Sequence, residues 1–521
     1  MMYVRGSEAD YDDWAELLDD PGWSAAAMKP YMRKHQTLEP IDPSITDRST
    51  MPFVGENHGT SGPVRTSFNT TAPLPIETDV IKACDEVAGL TKKPLDPWSG
   101  DHIGFYNTLG AVVRSGPNKG RRSYAARGYF EANAGRPNLK VLCEAQVTRV
   151  VLEGNTAVGV EFTHGGSKQT VSAAREVLVC GGTIFSPQIL ELSGIGDPKV
   201  LETAGVECKV VNTGVGNNFQ DHAVTGLGYE LTPSPGNISM DVIYQPGVLE
   251  DAQKVLMETQ GGPLTGISST QGFFPVKSVL SEEELVEVIK SIEGTPTTSD
   301  FHKRQLEKVV RHLKSDTSAN LQLVLIPATA NFEDGIENQA VVFPPPSRPD
   351  QPMGITMALC LQYPVARGSI HITSSDPLAP PAIDPVYNGH PADVAVSAAG
   401  LRFLDKVAQT ASLAPKLGKR YQPPDESLDM QNFDHAKHAV REHTIGEYHP
   451  AGSCAMGDAL DSKLKVKGVN NLRVVDASVF PNHVSGNIVS SVYMVAERGA
   501  DLIKEEWDYS ALNAAKGKTV S

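Results

Sequence analysis

The sequence of 521 residues lacks several things, and each absence narrows what the chain does. No run of 18 or more apolar residues occurs, so no membrane-spanning helix is expected. Positive charge is scarce: 46 Lys and Arg stand against 62 Asp and Glu, a formal net charge of −16. A nucleic-acid backbone needs a clustered positive surface, and Lys119-Gly120-Arg121-Arg122 is too short to supply one. Cysteine is sparse and scattered. The six (Cys84, Cys143, Cys180, Cys208, Cys360, Cys454) form no CxxC pair and no metal-ligand spacing, so no metal is expected. Aromatic residues are only 6% of the chain and suggest no stacking box. There is no internal repeat, no low-complexity tract and no GxSxG elbow of a serine hydrolase. The opening "MMYVRGSEADYDDWAELLDDPGW" has neither the basic leader nor the apolar core of a signal peptide. It reads as the interior of a domain. Finally, no strand is followed by GxGxxG and a helix. The nearest match, "GVGNNF" at 214–219, lacks the third glycine and reads as a loop.

What is present belongs to a globular α/β chain of two or three domains, with 40% apolar and 21% charged residues. The Pro-, Gly-, Ser- and Thr-rich residues 40–75 are expected as loop or extended chain. "LKVLCEAQVTRVVLEGNTAVGVEFTH" reads as consecutive strands through Val141, Val147, Val150 and Val151, a turn at Gly154-Asn155, then Val158, Val160 and Phe162. "REVLVCGGTIFSPQILELSGIG" reads as a buried strand, a double-glycine turn and a helix with Pro187 in its first turn. "SEEELVEVIKSI" carries a capping box, Ser281 with Glu284. "SDFHKRQLEKVVRHLKS" places Leu306, Val309, Val310 and Leu313 at helical spacing. Near the end, "NLRVVDAS" is expected as a strand and "NIVSSVYMVAERGADLIKEEW" as a long amphipathic helix.

Two stretches carry candidate chemistry. In "EYHPAGSCAMG", His449 is the side chain suited to taking a proton near neutral pH. Pro450 stiffens its backbone, and Gly452 permits close approach to a flat partner. In "LRVVDASVFPNHVSGNIVSS", Asp476 falls at the carboxyl end of a strand, where open α/β sheets place ligands. Ser485-Gly486-Asn487 opens the last helix, whose free N–H groups suit an electron-rich atom. Taken singly, His449 also reads as a structural histidine and Asn487 as a helix N-cap.

Taken together, these stretches resemble the glucose–methanol–choline (GMC) family of flavin oxidoreductases. "CGGTIFSPQILELSGIG", "VNTGVGNNFQDHAV", "GSIHITSSDPLAPPAIDPVYNGHPAD", "YHPAGSCAMG" and "VVDASVFPNHVSGNIVSSVYMVAERGADLI" resemble family motifs in their order. The resemblance implies an FAD-binding doubly wound domain, incomplete at its N-terminus, with a second antiparallel-sheet substrate domain. It implies residues 1–225 as the remainder of the FAD-binding domain and 226–362 as substrate domain. Residues 363–505 would complete both, leaving 506–521 as a tail. In the family, a GxGxxG unit of about 30 residues or more and an LGGSS-like segment precede the stretch that opens this chain. The chain is therefore expected to be an incomplete form of a longer protein, rather than a short form that has lost tight flavin binding. Unpaired strand edges and exposed apolar faces should follow.

The resemblance further implies oxidation of a small-molecule alcohol with FAD as cofactor. His449 would take the hydroxyl proton, the carbon's hydride would pass to the flavin, and Asn487 would hold the substrate oxygen. A second histidine is common at the Asn487 place. Val147 resembles a backbone contact to adenine, Asp476 and Ala477 the strand end beside the pyrophosphate and ribityl chain, and Ile488 a neighbour of the flavin ring. Arg121, Arg122 and Arg127 read as structural or rim residues. Two rival expectations stand beside this one: a non-redox family member that catalyses cyclisation or dehydration, and an inactive protein without flavin. The sequons at Asn69 and Asn237 occur at chance frequency, and the sequence assigns no compartment.

Overall fold

The largest sheet is built where leucine, isoleucine and β-branched residues recur along the middle of the chain. In the computed structural model, which describes residues 2–52, 55–90, 96–348 and 350–508, this sheet has seven strands. Of the tail expected over 506–521, residues 509–521 lie outside the described residues. The strand order runs Leu417–Gln422, Ala223–Leu231, Gly354–Leu361, Leu321–Ile326, Thr270–Phe274, Gly104–Asn107, with Ile445–Gly446 also paired to Ala223–Leu231. All its registered pairs are antiparallel.

Alternation along these strands separates two faces. Leu321, Leu323, Leu325, Met357 and Leu359 are fully or almost fully buried in one core with the helices Pro75–Ala88, Glu282–Glu293, Asp300–Lys314 and Pro391–Ala408. The opposite face carries Gln322, Val324, Ala358 and Cys360, and it is this polar-dotted face that reaches the site below. The capping box at Ser281 and Glu284 forms as the local sequence requires, with Ser281 N donating to Glu284 Oε2 at 2.9 Å.

A second core gathers Trp14, Trp23, Phe480, Val474, Val484 and Met494 around a parallel pair of strands, Val177–Val179 and Leu472–Val474. Parallel strands of this kind ordinarily have both faces covered. Here Val177 and Val179 are buried, but Leu178 on the other face is 43% exposed. Among the described residues, Val177–Val179 pairs only with Leu472–Val474. The meander Ala145–Glu153, Thr156–His164, Ser167–Ser172 forms a third sheet with its turn at Gly154-Asn155. The strand expected through Val141 does not form. Residues 139–143 find no ladder partner among the described residues, and Val141 is 59% exposed.

The helix after the double-glycine turn spans Gly182–Leu192, so Pro187 lies inside it rather than in its first turn. A proline there has no N–H for the carbonyl four residues back. The structure meets this with a substitute donor: Ser453 Oγ donates to the Thr183 carbonyl at 2.6 Å, fully buried. Ser453→Ala should therefore destabilise the fold by about 1–3 kcal/mol, the cost of an unpaired buried carbonyl. A urea unfolding midpoint equal to that of the parent chain would show that the carbonyl has another partner.

Candidate active site

His449 is placed by a sharp bend. The chain leaves the short strand Ile445–Gly446, and Tyr448 adopts φ 62°, a left-handed conformation an aromatic residue rarely takes. Such a residue costs on the order of 1–3 kcal/mol. The bend turns Tyr448 outward, 66% exposed, while its neighbours Glu447 and His449 turn in. Asp221 fixes the turn by accepting His449 N–H at 2.9 Å and the Tyr387 hydroxyl at 2.5 Å. Gly452, φ 87°, does approach closely, but its partner is the chain itself: a Cβ there would sit 2.6 Å from the Asn218 carbonyl.

Asn487 comes to the same point from the other side. The last helix spans Val489–Glu506 with Ile488 at its cap position, so Asn487 lies ahead of the cap and its side chain is free for another task. Its Nδ2 stands 3.1 Å from His449 Nε2. The amide is oriented from the large sheet: Gln322 Nε2 donates to Asn487 Oδ1 at 3.4 Å and to Gln271 Oε1 at 2.9 Å. Gln362 Nε2 donates to Gln322 Oε1 at 3.3 Å, while its own Oε1 accepts Gly486 N–H at 2.5 Å. This chain of amides leaves Asn487 Nδ2, a donor, directed at the imidazole.

The other side of His449 is equally defined. His222 Nε2 lies 3.1 Å from the Val484 carbonyl, which can only accept, so the N–H is on Nε2 and Nδ1 is the acceptor. His449 Nδ1 stands 3.1 Å from that acceptor, which places its proton on Nδ1 and leaves the Nε2 lone pair to accept from Asn487 Nδ2. Glu447 Oε2 lies 3.4 Å from His449 Nδ1 and 3.5 Å from His222 Nδ1. Burial pulls the His449 pKa down, but the Glu447 carboxylate, with help from Asp221, more than offsets it, and the imidazole ends up more basic than usual. Burial pushes Glu447 up, but His449 and His222 hold it far below the usual carboxylate range. His483, its ring tilted 41° to that of His222 with centroids 3.8 Å apart, is kept neutral by burial and by His222, and its Nε2 lies 2.9 Å from the His449 carbonyl and its Nδ1 3.1 Å from the Val484 carbonyl.

The remaining candidates fall at the strand ends. Asp476 Oδ2 accepts Gly182 N–H at 3.0 Å and the Ser186 hydroxyl at 2.5 Å, and Oδ1 accepts Ser478 N–H at 2.8 Å. Ala477 O accepts Gly452 N–H at 3.2 Å, tying this turn to the His449 segment. Ile488, 8% exposed, follows Asn487 directly. Val147 sits apart, on the meander strand opposite Phe162. A cleft of about 660 Å³ lies nearby between Gln146, Thr148, Arg149, Leu192 and Pro377, and neither His449 nor Asn487 lines it. Gly182 has φ 75°, and a Cβ there would meet nothing within 4 Å.

Sequence reasoning paired His449 with Asn487 but missed His222, Glu447 and the glutamine chain. Only Glu447 lies close in sequence, two residues before His449, and it is the bend at Tyr448 that turns both side chains inward.

Comparison with known proteins gives the family of the chain. Two family models described as GMC oxidoreductase match residues 1–224 and 364–496. Dehydrogenase mpl7 of Monascus purpureus is 40% identical over 97% of this chain and 82% of its own length. An oxygen-dependent choline dehydrogenase of Stenotrophomonas maltophilia is 30% identical over 97% of this chain and 78% of its own. In fold, an FAD-dependent oxidoreductase from Chaetomium thermophilum matches with a TM-score of 0.85 at 24% identity, covering 98% of this chain and 85% of that one. A fungal aryl-alcohol oxidase matches at 0.82 and 21%, covering 97% and 84%. The chain belongs to the GMC oxidoreductase family.

Proposed function

We propose that this chain oxidises the hydroxyl of a small alcohol with FAD as its cofactor. The observation that carries the reading is the pairing of a lone-pair nitrogen with an amide donor: His449 Nε2 and Asn487 Nδ2, 3.1 Å apart. A substrate hydroxyl that displaces this contact has its proton taken by His449 while its oxygen accepts from Asn487. The amide stabilises the developing alkoxide and cannot itself act as a base. The raised basicity of His449 helps that transfer, and burial excludes competing water. FAD, when bound, accepts the hydride from the substrate carbon.

The residues present fit such a group at its redox end. Ile488 and Asn487 would flank the ring, Asp476 and Ala477 would meet the chain leading from it, open space lies beside Gly182, and Val147 would meet the adenine by its backbone. The name of a relative at 30% identity, an oxygen-dependent choline dehydrogenase, supports an alcohol as substrate. The test is anaerobic mixing of the FAD-loaded protein with a panel of primary alcohols. Bleaching of the visible flavin band by at least one is the expected result. A retained but unbleached flavin across the panel would turn the reading toward the non-redox alternative.

A further inference from the structure

We propose that Glu447 and His222 are positioning residues that act through His449: His222 fixes which nitrogen is the base, and Glu447 supplies the counter-charge for the imidazolium. The inference rests on the reading of His449 as the base. The geometry is independent of that reading. One polar atom from each of the three side chains lies within 4.8 Å of the others, behind the nitrogen that faces Asn487. His222 is fully buried and His449 is 8% exposed, so water contributes little to stabilising a charge there.

Each group has one task. His222, held by the Val484 carbonyl, accepts from His449 Nδ1 and so forbids the tautomer in which Nε2 carries the proton. Glu447 Oε2 lies 3.4 Å from His449 Nδ1 and 3.5 Å from His222 Nδ1, on the side of the ring away from Asn487. When Nε2 takes the substrate proton, the positive charge on the ring meets a carboxylate that is already ionised. The proton stays on Nε2, and Glu447 neither gains nor loses one. The surrounding groups do not replace it. Asp221 binds the His449 backbone N–H and the Tyr387 hydroxyl. The Cys360 thiol beside Glu447 is held protonated by burial and by that carboxylate. His483 stays neutral and turns to the His449 carbonyl.

Glu447→Gln keeps the shape and removes the charge. In steady-state assays on the FAD-loaded protein, the acid limb of kcat/KM should move to lower pH by ~1–3 units, while the plateau at high pH falls ~10-fold. A role confined to folding would leave the limb where it is. The independent readout is the titration of His449 by imidazole 15N NMR in substrate-free protein, assigned with His449→Ala. The parent protein should show the Nδ1–H tautomer and a midpoint higher than in Glu447→Gln. If that difference appears and no alcohol is oxidised, the pairing stands and only the assigned reaction fails. Equal midpoints in the two proteins, the Nε2–H tautomer, or one equivalent of tightly held metal lost in Glu447→Gln, would each overturn the proposal.

Discussion

His449→Ala is expected to lower turnover by roughly 100-fold or more, the typical contribution of a positioned general base. Nothing else at the site can take over. Asn487 is a neutral amide, His222 and Glu447 lie behind the His449 ring on its Nδ1 side, away from Asn487, and His483 faces backbone. Because the proton moves as the alkoxide develops, kcat and kcat/KM should fall together, with little change in KM. The measurement is the single-turnover rate of flavin reduction in FAD-loaded protein, with flavin content matched between variants. Near-parental rates would remove His449 from the chemistry.

Asp10→Ala is expected to give the largest loss of stability. Asp10 is 2% exposed and ties three parts of the chain together. Its Oδ2 accepts Ser7 N–H at 2.7 Å, closing the cap of the helix Glu8–Leu18, and also Ser485 N–H at 2.9 Å and Ser485 Oγ at 2.7 Å. Its Oδ1 accepts the Tyr363 hydroxyl at 2.7 Å. Hydrogen bonds to a charged group are worth ~1.5–3 kcal/mol each, and several donors would be stranded at once. A loss of ~3–5 kcal/mol follows, on the scale of breaking a buried charged pair. Ser485 lies two residues before Asn487, so activity should also fall in the fraction that remains folded. A denaturation midpoint within experimental error of the parent would show that water or a rearranged Ser485 replaces the carboxylate.

The sequence showed best what is local. The Ser281–Glu284 box and the helix Asp300–Lys314 form from neighbours within one or two turns, and so appear in the pattern itself. The pairing of His449 with Asn487 was reached through motif resemblance, and geometry agrees with it. The rest depends on residues far apart in the chain. His222 meets His449 across 227 positions, and Asp10 meets Ser485 across 475. No periodicity announces such partners. Pro187 misled for a related reason: the rule that places proline in a helix's first turn assumes no outside donor for the freed carbonyl, and Ser453 is one. Val141 misled in the opposite way, since strand-forming side chains make no strand without a ladder partner.

The unpaired edge of Val177–Val179 carries its own chemical reporter. The strand runs directly into Cys180, and that thiol is exposed. Whatever pairs with the edge would come to lie beside it, whether a further stretch of polypeptide or a second copy of the chain. Burial and Asp476 push the Cys180 thiol up to about 11, so alkylation kinetics at alkaline pH, with exposed Cys143 replaced by serine, would then read out occupancy of the edge in solution. Rapid labelling marks an open strand. Protection marks a covered one, and its dependence on protein concentration separates self-association from a cover built into the same chain.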